Sequence, residues 1–290
     1  MGKLRTRKHK VVLNRSVGGD LGINLMLIIL GAFMFIPMIY VILQSFKPLD
    51  ELWMFPPRFY VQKPTLQNYA DLFTLMNDSW VPFSRYIFNT VLISVTGTTG
   101  NLFFSSLAAY AMAKIAFPGG KGMFKTVRTS LMFHKTVTAV TNFILMGYLH
   151  MIDNLLAIIV PAFATSLGLY LMKQFMDTNV PDAVLESARI DGCGEFRTWW
   201  VIAMPMVKPA WLTLIIYSFQ DLWNSGSSIY IHSEQLKSFN YAIGQILAGG
   251  IARAGAGAAS TVIMMMVPIF VFILTQSNII ETMGSSGMKD

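Results

Sequence analysis

The chain has 290 residues, 54% of them apolar, with 20 methionines, 21 phenylalanines and a mean hydropathy of +0.52. That is too apolar for a soluble domain of this size and describes a polytopic membrane protein. The net charge of +7 does not suggest a nucleic-acid partner, because the bases sit at the ends of apolar runs instead of on a basic face with interleaved aromatics. One cysteine, Cys193, excludes an internal disulfide and a Cys-based metal cluster.

Residues 1–20 carry Lys3, Arg5, Arg7, Lys8, Lys10 and Arg15 against Asp20, which places this tail in the cytoplasm by the positive-inside rule. The apolar run that follows is too long for a signal-peptide core and reads as a retained first span, 21–44, with Pro37 inside it. Residues 45–84 form a proline-rich polar loop of near-neutral charge, suited to the outside. A second span, 86–113, ends in Lys114, Lys121, Lys125 and Arg128 with no acid among them, a cytoplasmic turn. The third, 126–149, has its first turn at the interface, with Lys135 snorkelling or facing the bundle and His134 in a structural role. Asp153-Asn154 turns outside, and a fourth span, 155–172, contains Pro161. A fifth runs over 209–229 and a sixth over 256–280, where Met264 to Met266 are packing or lipid-facing residues. The fold class is all-α, six transmembrane helices over 21–280, with residues 281–290 as a second cytoplasmic tail.

Between the fourth and fifth spans lies a charged loop, 174–208. From Lys173 to Lys208 it holds four bases (Lys173, Arg189, Arg197, Lys208) against five acids (Asp177, Asp182, Glu186, Asp191, Glu195). Ionised groups at this density cannot lie in hydrocarbon, and the balance of signs is more than a topology signal needs. Pro181 and the early acids Asp182 and Glu186 start a short helix, and Gly192 ends it by taking positive φ or by admitting another backbone. Phe196, Trp199, Trp200 and Ile202 begin a second, amphipathic helix that stops near Pro205 and Pro209. A helix, glycine turn and helix of this kind is a docking element.

The order Glu186-Ser187-Ala188, three residues, Gly192, nine residues, Ile202, one residue, Met204-Pro205 resembles the EAA signature of ABC-importer membrane subunits. Asp191, Phe196 and Pro209 extend the likeness to the maltose-permease-like, carbohydrate branch, as do the stretch Leu167 to Gly192, the segment after the first span and the pair Trp223-Asn224. Ser187, Cys193 and Met204 are small or volume-conserving departures, and the third span lacks the family's prolines near His134 and Thr141.

The resemblance implies a permease subunit in a bacterial plasma membrane, forming half of a sugar pathway. Its partners would be a second, related permease, two ATPase subunits and an extracytoplasmic sugar-binding protein, with no nucleic acid. Glu186, Ser187, Ala188, Asp191, Gly192, Phe196 and Pro205 would couple to an ATPase. Gly284, Ser285, Ser286 and Gly287 resemble the tail that reaches into the ATPase dimer. Asp221, Trp223 and Asn224 are candidates for the substrate path, since an intramembrane acid beside Trp and Asn suits stacking and hydrogen bonding to sugar; a satisfied bundle contact is the other reading. The chain has no Walker A loop, as Gly119-Gly120-Lys121-Gly122 has neither the spacing nor the following Ser or Thr. It carries no cofactor of its own, so ATP and Mg belong to the partners. Among the alternatives, a permease for an amino acid or phosphate ester shares part of the loop and a membrane scaffold lacks transport. An intramembrane enzyme lacks its His, Ser or paired-carboxylate motif here.

Overall fold

The computed structural model describes residues 17–77, 81–226 and 229–286, which are helical with no strand among them. In chain order the helices are α1 Val17–Ser45, α2 Leu49–Leu52, α3 Gln67–Asn77, α4 Phe83–Lys114, α5 Gly120–Ser130, α6 Lys135–Tyr148 and α7 Leu156–Ala162. They continue as α8 Ser166–Asn179, α9 Asp182–Ile190, α10 Glu195–Thr198, α11 Met204–Met206, α12 Lys208–Trp223, α13 Phe239–Ala248 and α14 Ala254–Ser286. Four stretches are long and apolar enough to cross a bilayer: Gly18–Ser45, Phe83–Lys114, Leu156–Asn179 and Ala254–Gln276. A fifth forms if Glu195–Met206 and Lys208–Trp223, which meet at 86°, count as one bent span.

The structure departs from the expected six uniform helices at three places. The helix expected over 126–149 is two, α5 and α6, because His134 is extended and its ring nitrogen accepts the Thr136 N–H, restarting the helix there. The span expected over 155–172 breaks at Phe163 to Thr165, where the Thr165 hydroxyl caps α8 by accepting the Gly168 N–H at 3.2 Å, and α8 then runs on to Asn179. The fifth stops at Trp223 instead of residue 229. The basic tail over residues 1–16 lies outside the described residues.

At 32 residues, α4 is about 48 Å long, more than the hydrocarbon thickness. Its buried polar residues Asn89, Thr90, Ser94, Thr98, Asn101 and Ser105 recur at helical spacing and face the interior of the bundle. Asn101 joins three helices. Its amide donates to Ser218 Oγ at 3.0 Å on α12, and its Oδ1 accepts from Ser105 at 2.8 Å and from Thr165 at 2.9 Å. In an apolar medium such side chains act as interhelical glue. Two glycines allow the close approach. A Cβ at Gly100 would stand 2.2 Å from the Phe163 ring, and one at Gly97 would stand 2.5 Å from Leu222 Cδ1.

Apolar cores form at both ends of α4. The one at Tyr86 gathers α3, α12, α13 and α14 through Leu72, Trp223, Phe239 and Met264. The other, at Tyr110, gathers α8, α9 and α12 through Met172, Met176, Leu185, Trp199 and Leu214. Within the 45–84 stretch, expected as a polar loop, the described residues include α2 and α3. Lys47 is only 1% exposed and donates to the Arg58 carbonyl at 2.5 Å, while buried Glu51 accepts the backbone N–H groups of Gln62 and Lys63.

Candidate functional site: the loop between α8 and α12

The expected short helix is α9. Pro181 stands just outside it, at the N-cap, with φ −67°, and Asp182 occupies the first turn, where the helix dipole favours an acid. The helix ends in a Schellman turn. The Gly192 N–H bonds the Arg189 carbonyl at 3.0 Å and the Cys193 N–H bonds the Ala188 carbonyl at 2.9 Å, with Gly192 at φ 78°. Positive φ is the first of the two roles expected for Gly192.

Leu185 turns inward onto the core at Tyr110 and Ala188 is buried beside it on the helix, so α9 is seated on its own chain by one face. Glu186, Ser187, Asp191 and Gly192 are exposed. Ala188 is thus a packing residue of this chain, whereas Ile190, which the motif does not mark, is 86% exposed.

Two polar fasteners hold α9 to the end of α4. Lys114 Nζ meets Asp182 Oδ1 at 2.8 Å. Glu195 accepts the Tyr110 hydroxyl at 2.7 Å with one oxygen and Arg189 Nε at 2.8 Å with the other. These bonds hold the Asp182 carboxyl, beside Lys114, and the Glu195 carboxyl, beside Arg189 and then Tyr110, below their ordinary carboxylate values. Glu195 in turn raises the already basic Arg189.

The second expected helix is present but bent. After α10, Trp199–Ala203 form a π-turn in which the Met204 N–H reaches back to the Trp199 carbonyl, and α11 contains Pro205. Trp199 is buried, edge-on to Phe103 of α4 at 5.5 Å, while Phe196, Trp200 and Val201 are exposed. The 86° turn follows at Val207, between Pro205 and Pro209, and Trp211 Nε1 donates to the Met204 carbonyl at 3.1 Å across it.

The three residues considered for a substrate path separate. Asp221 and Asn224 are exposed at the end of α12, but Trp223 is 4% exposed, stacked on Phe219 and donating its N–H to the Met264 carbonyl at 3.0 Å. Gly284, Ser285 and Ser286 are in the last turns of α14, and Gly287 lies outside the described residues.

No family model matches the chain. It is 30% identical to the sn-glycerol-3-phosphate transport system permease protein UgpE of Yersinia enterocolitica, over 71% of this chain and 74% of that one. The chain belongs to the carbohydrate ABC transporter permeases. Over almost its full length, 93% of this permease and 95% of the relative, it is 25% identical to the arabinooligosaccharides transport system permease protein AraQ of Bacillus subtilis. Its fold matches a chain of a bacterial ABC transporter that imports the acidic polysaccharide alginate, with a TM-score of 0.76, 18% identity, and coverage of 91% and 98% of the two chains. The permease is therefore a membrane transport subunit of an importer.

Proposed function

We propose that this permease forms half of the translocation pathway for a sugar or oligosaccharide, handed over by an extracytoplasmic binding protein and moved by ATP hydrolysis on two separate ATPase subunits. In this reading the subunit crosses a bacterial plasma membrane six times, with α5 and α6 together as the third crossing and both termini cytoplasmic. The loop 174–208 is then cytoplasmic, and α9 docks in an ATPase through Glu186, Ser187, Asp191 and Ile190, with Phe196 and Pro205 forming the lever back to α12. A second, related permease completes the pore. ATP and Mg stay on the ATPases.

The observation that carries the reading is the build of α9. It is a charged, exposed face with an unsatisfied apolar tip at Ile190, fixed to its subunit by Leu185, Ala188 and the two fasteners. A helix so held presents a rigid surface to a partner and passes its motion to the spans. The relative named for arabinooligosaccharides supports a glycan as cargo. Asp221 and Asn224 are proposed to meet it, with Trp223 as the post behind them, and the α14 end at Gly284 to Gly287 is proposed to touch the ATPases.

A phosphorylated polyol is the second reading, favoured by the relative named for glycerol-3-phosphate. Proteoliposomes holding the permease with its ATPases and binding protein test both. ATP-dependent uptake of labelled arabinooligosaccharide, lost in Glu186→Lys, is the expected result. Uptake of glycerol-3-phosphate alone transfers the assignment to the second reading, and purification of the permease without any ATPase overturns both.

A further inference from the structure

Most of the spans carry a proline or a break. Pro37 lies in α1 and Pro268 in α14, α5 and α6 are separated, α7 and α8 are separated, and the run into α12 turns by 86°. Among the described residues, α4 is the long helix with neither proline nor break. Its intact ladder makes it stiff along its axis, and both of its ends are fastened by side-chain hydrogen bonds.

At one end Tyr110 and Lys114 hold Glu195 and Asp182 of the α9 region at 2.7 and 2.8 Å. At the other, Tyr86 donates to Glu234 at 2.7 Å and Asn89 donates to the Gln235 and Lys237 carbonyls at 2.8 and 3.0 Å. The Thr90 hydroxyl also accepts the Phe239 N–H at 2.8 Å. The segment 234–239 leads directly into α13. One uninterrupted rod therefore joins the docking helix to the loop on the opposite membrane face.

We propose that α4 is the push-rod of this permease: Tyr110 with Glu195, and Lys114 with Asp182, are positioning residues that transfer movement of α9 to α4, and Tyr86, Asn89 and Thr90 deliver it to the outer segment 234–239. This rests on the importer reading above. Fasteners at the two ends act in series, so loosening either end interrupts the transfer and loosening both adds nothing more. By linkage, the same joints carry the signal from the outer segment back to the ATPases.

The test is a bimane fluorophore on His232→Cys, in a Cys193→Ser background, beside the outer segment in the complete complex with its ATPases. Addition of a non-hydrolysable ATP analogue with Mg is expected to shift its emission in the otherwise unaltered permease. Tyr110→Phe with Glu195→Gln at the inner end, or Tyr86→Phe with Thr90→Val at the outer end, should each shrink that shift about threefold or more. All four changes together should shrink it no further. An unchanged shift in either pair, or effects that multiply, overturns the proposal. Should a pair fail to assemble, Lys114→Asp and Asp182→Lys decide: the exchange must recover what the two single changes lose, and failure to recover it overturns the proposal. A complex with no nucleotide-dependent shift before any fastener is altered refutes the importer reading instead of the rod.

Discussion

Trp223 gives its indole N–H to the Met264 carbonyl, the acceptor that Pro268, four residues later in α14, cannot serve because proline has no N–H. The proline's missing bond is thus supplied by a side chain on a neighbouring helix, a standard way for an intramembrane helix to hold a proline. Trp223 is a structural post of the bundle, and Asp221 and Asn224 beside it are exposed.

Trp223→Phe keeps the ring and strands the carbonyl, at a cost of about 1–3 kcal/mol. Pro268→Ala restores a backbone donor four residues on and is expected to recover most of the loss. Thermal unfolding of the detergent-purified single and double variants measures the coupling, and additive losses would sink this account.

Gly192 tests the turn without touching packing. No atom lies within 4 Å of where its Cβ would be, so a substitution meets only the backbone cost of φ 78°. Gly192→Val should lower stability by about 1–2 kcal/mol and Gly192→Asn by less, since Asn visits the left-handed region more readily. Equal melting temperatures for the two would contradict the turn geometry.

The reverse holds at Gly100, where backbone freedom is irrelevant and space is absent. Gly100→Ala drives a methyl into the Phe163 ring and should cost about 1–3 kcal/mol as α4 and α7 part. Phe163→Leu in the same chain should return part of it. Stability and ATP-dependent uptake are the measurements, and an unharmed Gly100→Ala would show that the helices have room to separate.

Glu195 supplies a pH dependence of fixed sign. Arg189 first, and then Tyr110, hold its carboxyl below the ordinary 4.5, so the group's contribution to stability is complete above that value. It is lost as pH falls through the lowered folded value. Glu195→Gln should be less stable than the unaltered chain at about pH 6, and the difference should close toward about pH 3. Melting curves across that range check it; a gap that widens on acidification would reverse the sign and discard the fastener.

How much was legible in the sequence follows from how local each feature is. The α9 boundaries and the positive φ of Gly192 were readable because proline, early acids and glycine act within one turn. The apolar extent of α4 was readable too. The break at Leu131 to His134 was not, because it depends on a histidine ring capping its own neighbour inside an otherwise apolar run. Composition says what a helix carries, and only the packing of α9 on α4, and of α12 on α14, decides that Ala188 and Trp223 turn inward. The interhelical role of Asn101 was not legible either, because its partners beyond its own helix, Thr165 and Ser218, lie far along the chain.

The Schellman turn after α9 has a practical corollary. Two residues past the C-cap of α9, Asp191, stands Cys193, half-buried and the only thiol in all 290 residues. Nature has therefore placed a unique chemical handle at the corner of the docking element. A maleimide probe needs no engineered cysteine to report, through its labelling rate, when that corner is covered and when it is bare.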